Sequence, residues 1–110
     1  MDPGALREVV VIEASHEAQN ELGEMVITWK PWRRVRAHVA NLGFYQSLRA
    51  QQMSADVTHV VTMHFCDGLV GSMRLRWESR DNRLLYISSI TEQGIRQWHE
   101  VTAEERANNG

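Results

Sequence analysis

At 110 residues, 43% of them hydrophobic, the chain is long enough for one domain with a thin core. No apolar run approaches the about eighteen residues of a membrane-spanning helix, and the lone cysteine, Cys66, excludes an intrachain disulfide and a cysteine-rich zinc site. The net charge of −2 excludes binding of a polyanion by bulk charge. The opening Met1-Asp2-Pro3-Gly4 has no basic stretch followed by an apolar one, so no secretory signal is expected and synthesis is expected in a reducing cytoplasm.

The dominant pattern is alternation with period two, which predicts strands. Leu6 to Ile12 is apolar and β-branched. After the turn residue Gly23, Met25 to Trp29 reads as a second short strand that Pro31 breaks. From Trp32 onward Arg34, Arg36 and His38 fall on one face and Val35, Ala37 and Val39 on the other, a half-buried strand with a basic outer face. Between Asn41 and Asp56 alternation stops. Phe44, Leu48 and Ala55 recur at helical spacing there, which predicts a short helical or loop insertion at 41–56. Val57, His59, Val61, Met63 and Phe65 then share one strand face, with Thr58, Val60, Thr62, His64 and Cys66 on the other. Asp67-Gly68 marks a turn, Met73, Leu75 and Trp77 alternate with Arg74 and Arg76, and Asp81-Asn82 is a second tight turn before the strand Leu84 to Ile90. Gln97 to Thr102 reads as a last edge strand, and residues 103–110 as a flexible tail. The expectation is an all-β fold: a small antiparallel barrel or sandwich over residues 1–102 that leaves edge strands for oligomer contacts.

Charge is segregated along the chain. Residues 1–29 carry six acids against Arg7 alone, a net of −5, and residues 30–83 carry nine bases against four acids, a net of +5. Such asymmetry suits a head-to-tail contact between copies, a basic face toward nucleic acid, or a solvated surface of mixed sign. Lys30, Arg33, Arg34 and Arg36 interleave with Trp29 and Trp32, and Arg74, Arg76, Arg80 and Arg83 cluster on a hairpin. Basic residues with aromatics bind single strands by phosphate contact and base stacking, whereas tryptophan and arginine are also the residues of cores and protein interfaces.

Enzyme chemistry finds no support. His64 and Cys66 are the single close pair of metal-ligating type, while a structural zinc site shows such pairs twice over, so no metal or other cofactor is expected. Cys66 lies near His64 and beside the Asp67-Gly68 turn, but nothing supplies a carboxylate to orient the histidine or an oxyanion hole, and no Gly-rich phosphate loop is present.

The ordered set Trp32-Arg33-Arg34-Val35-Arg36-Ala37, then Gln51-Gln52, then Thr58-His59-Val60-Val61-Thr62-Met63, then Met73-Arg74-Leu75 leading to Leu85-Tyr86-Ile87 resembles the head–tail joining proteins of tailed bacteriophages, also called head-closure, head-completion or stopper proteins. The resemblance covers about residues 6–92 and fades at Arg96-Gln97-Trp98-His99. It implies a small β-barrel that assembles as a ring under the portal and adaptor in the neck of the virion, closes the DNA exit channel after packaging and offers a docking surface to tail proteins. It implies that the 41–56 insertion faces the channel, with Phe44, Tyr45 and Leu48 as its contacts and packaged double-stranded DNA as a transient neighbour. Arg33, Arg34, Arg36, Arg74 and Arg76 are the expected subunit or connector interface. The alternative is a small β-barrel that binds nucleic acid.

Overall fold

The computed structural model describes residues 6–41 and 57–106. Their alternating segments form six strands, β1 (Glu8–Gln19), β2 (Met25–Asn41), β3 (His59–His64), β4 (Arg74–Trp77), β5 (Arg83–Gln93) and β6 (Trp98–Arg106), with no helix among the described residues. All pairings are antiparallel, and the order β1-β2-β3-β6-β5-β4 closes on itself as a barrel. The expected leftover edge strands are therefore corrected at the body of the molecule: β4 pairs back onto β1 through Val10–Glu13, and closure removes the edge.

The inward positions are the apolar parity of each strand. Val10, Ile12, Ala37, Val61, Met63, Leu75, Trp77, Leu85, Val101 and Ala103 meet in one buried cluster, with Trp32, Val35, Val39 and Ile87 packed against it. Register pairs such as Ile12 with Leu75, Leu75 with Leu85, and Val61 with Val101 place these side chains level across neighbouring strands.

Three boundaries differ from the sequence expectation. β2 runs unbroken for 17 residues through Pro31. The proline is tolerated because it lies where the β1–β2 register shifts and where β3, which pairs only with Ala37–Asn41, does not reach. β1 likewise continues to Gln19. β6 is neither an edge strand nor finished at 102, since it lies between β3 and β5 and runs to Arg106. What extends it is polar. Glu105 forms an ion pair with Arg83, and its N–H donates to Thr58 Oγ1 at 2.7 Å. Charged residues hide that strand from an apolar pattern.

The tight turns follow their residues. Within the five-residue β4–β5 connection, Asp81 and Asn82 both take positive φ (62° and 56°) as the central residues of a turn that the Arg83 N–H closes on the Arg80 carbonyl at 3.3 Å. At the β1–β2 tip Gly23 has φ 82°, and Asn20 Oδ1 accepts the N–H groups of Leu22 and Glu24, each at 2.9 Å.

Candidate functional site

The register sorts the loops to two ends of the barrel. At one end lie Leu6, the β4–β5 turn, Arg106, and the strand termini Asn41 and His59 that flank the insertion. At the other lie the β1–β2 tip, the 65–73 loop and the β5–β6 turn. Phe44, Tyr45 and Leu48 fall outside the described residues.

The outer wall between the ends is built from the basic strands. Glu13 points outward from β1, is only 7% exposed, and accepts from Arg74 Nε at 2.7 Å and Arg76 Nε at 3.4 Å. Arg74 also donates to Tyr86 Oη at 2.9 Å and lies 4.3 Å over the Trp29 ring, which meets Tyr86 edge-on. Arg106 covers the other part of Tyr86 at 4.5 Å. Of the five arginines expected at an interface, Arg74 and Arg76 are thus held inside the chain's own lattice. Arg33, Arg34 and Arg36 are exposed on β2. Arg33 stacks on Trp32 at 4.4 Å, and Arg34 pairs with Glu78 at 3.0 Å across two solvated side chains. Beside them opens a shallow groove lined by Val11, Pro31, Trp32, Arg33, Arg34, Arg76 and Glu78.

Titratable groups follow these contacts. The Ser79 hydroxyl, with Arg80 nearby, holds Glu8 below the usual carboxylate range, and Arg34 does the same for Glu78. The Arg83–Glu105 pair lowers the carboxyl and raises the guanidinium. Burial lowers His59 and His99. His99 Nδ1 accepts the Cys66 N–H at 3.2 Å, so the neutral ring is built into the loop.

The expected sharing of a face by His64 and Cys66 is corrected. β3 ends at His64, the chain turns, and Cys66 enters the core while His64 stays exposed and stacks on Trp98. No group of metal-ligating side chains forms among the described residues.

Sequence reasoning passed over one feature. Beyond Glu13, β1 pairs with β2 alone; Ala14 and Trp29 still pack on the barrel, and residues 16–28 project past them as a two-stranded arm. Leu22, Met25, Val26 and Ile27 are exposed on it, and Val70 and Ile95 are exposed on the neighbouring loops. All six exposed large hydrophobics among the described residues therefore stand at the end opposite Asn41 and His59. The signal was present in Met25-Val26-Ile27: consecutive apolar residues put apolar groups on both faces of a strand, and a barrel covers one.

The comparisons agree with this architecture. The solution structure of protein SF1141 from Shigella flexneri 2a superposes with a TM-score of 0.76, covering 99% of this chain and 100% of that one, at 19% identity, a likeness of fold. No curated protein matches the chain. The model of the phage head completion protein family matches residues 1–106. A six-stranded closed barrel with a basic wall, reached through most of the chain's length by that family pattern, belongs to the phage head completion protein family, and its role is that of a structural component of the phage head.

Proposed function

We propose that the protein assembles as a ring in the neck of the virion, beneath the portal and adaptor, closes the DNA exit channel after packaging, and carries the surface to which the tail docks. The observation that carries this reading is the separation of the two barrel ends, within a chain of the head completion family. Asn41 and His59 stand at one end, and every exposed large hydrophobic of the described residues is gathered at the other. A connector must meet different neighbours on its two sides, and clustered exposed apolar groups mark a contact surface. Phe44, Tyr45 and Leu48 are proposed as the channel contacts, and Arg33, Arg34 and Arg36 as the outward charges of the ring. Weak contacts repeated around a ring give a strong assembly.

The alternative, a free nucleic-acid-binding barrel, loses its best platform. Trp29 is covered by Arg74 and Tyr86, and Arg74 and Arg76 answer Glu13 rather than phosphate. Deleting the gene in its phage and imaging the lysate tests the proposal. Matured heads that stand empty beside finished tails are expected, and complete infectious particles would overturn it. Replacing Phe44 and Leu48 by serine is expected to leave the fold intact and yield leaking particles.

A further inference from the structure

The arm and the groove are complementary and belong to one chain, but they cannot meet within it. The arm tip is apolar, with Leu22 82%, Met25 63% and Ile27 55% exposed, and it is acidic, with Glu17, Glu21 and Glu24 along it and Lys30 at its base. A lone two-stranded ribbon is marginal in water and offers unpaired strand edges. The groove is lined by apolar Val11, Pro31 and Trp32, by the cations Arg33, Arg34 and Arg76, and by Glu78, which pairs with Arg34, so cations outnumber the carboxylate. Its basic rim is inexpensive to open, because Arg33 is held by stacking and Arg34 by a solvated ion pair. Pro31–Arg34 continue the very strand that forms the arm, so an extended ribbon points away from its own groove. Past Trp29, which packs on Tyr86, the four residues of β1 from His16 to Gln19 extend about 13 Å at strand rise.

We propose that the arm tip of one copy seats in the Trp32–Arg33–Arg34 groove of the next. Leu22 and Ile27 then cover Val11, Pro31 and Trp32, and Glu21 and Glu24 meet Arg33 and Arg34, taking the place of Glu78 at Arg34. Such a contact joins two different patches, is head-to-tail, and closes into a ring when its rotation permits. It rests on the ring reading above and names the surfaces that make the ring.

Mixing full-length L22C chains with full-length R33C chains under mild oxidation tests the contact. The native Cys66 is buried and does not compete. A disulfide-linked L22C–R33C pair well beyond the statistical mixture is expected, falling to background when I27D is added to the L22C chain. Dominant L22C–L22C pairs would mean arm-to-arm contact and would overturn the proposal, as would mixed pairs no more abundant than those of a D81C control at the opposite end. L22C captured on a different virion protein, with R33C unlinked, would overturn it too. In the phage, L22S/I27S heads are expected to leak. Closed heads from L22S/I27S beside leaking heads from the gene deletion would sink the arm contact and leave the ring reading standing. Complete particles from the deletion would instead sink the ring reading.

Discussion

Glu13 and Glu17 stand on the same strand, a turn of the pleat apart, and meet opposite surroundings. Glu13 lies where β1 has β2 on one side and β4 on the other, and two arginines from β4 close over it. Glu17 lies where β1 has β2 alone, and it is exposed. The same contrast holds for Ile12, which is wholly buried, and Ile27, which is 55% exposed. The lesson is that alternation produces a strand, whereas the number of neighbouring strands determines whether that strand stabilises the fold or reaches out from it.

The largest effect that sharpens this contrast is in the core. Ile12→Ala is expected to cost about 2–5 kcal/mol, as for other large-to-small core changes. Ile27→Ala is expected to stay within about 0.5 kcal/mol, as for a surface site. Urea unfolding of the two variants measures both, and equal losses would break the distinction between barrel and arm. Next comes the wall. Glu13→Ala leaves Arg74 and Arg76 facing each other without a carboxylate and is expected to cost about 1.5–3 kcal/mol, the scale of a hydrogen bond to a charged partner. Glu17→Ala is expected to cost within about 0.5 kcal/mol. A Glu13→Ala variant as stable as the parent would show that the arginines hold the wall without it.

The third effect is graded by pH. His59 and His99 are lowered by burial from their ordinary 6.5, so the unfolded chain takes up protons at a higher pH than the folded one. Their contribution is complete above about pH 6.5 and is lost as pH falls from there through the lower folded values. Glu8, Glu78 and Glu105, lowered by their partners, give up their contribution further into acid. The urea midpoint is therefore expected to fall between pH 7 and pH 5, with a shallower slope in His59→Leu. A midpoint flat across that interval would show that both imidazoles protonate as freely in the barrel as in the unfolded chain.

Most of the strands were legible because a barrel strand has a dry face and a wet one. Val35, Ala37 and Val39 against Arg34, Arg36 and His38 is such a strand, and it was read with its faces correct. The misreadings share a cause. Pro31, Cys66 and the Glu104-Glu105-Arg106 run were judged by local preference, while a register shift, a loop turning into the core and an ion pair across strands decided their places. For the site, the basic strands were legible as charge. Which arginines stay available was not, because Arg74 and Arg76 are engaged by Glu13, some sixty positions earlier in the chain.

The sequence by itself determined an all-β chain, its tight turns at Gly23 and Asp81-Asn82, its dry and wet faces, and a head completion pattern, because each of these is written in neighbouring residues. Only the tertiary structure decided that the sheet closes through β4 and β1, that Glu13 is buried on the outside of the barrel, and that residues 16–28 leave it as an arm. Closure and projection depend on which strands find each other across long separations, and a period of two records only that a residue needs cover, never what will cover it.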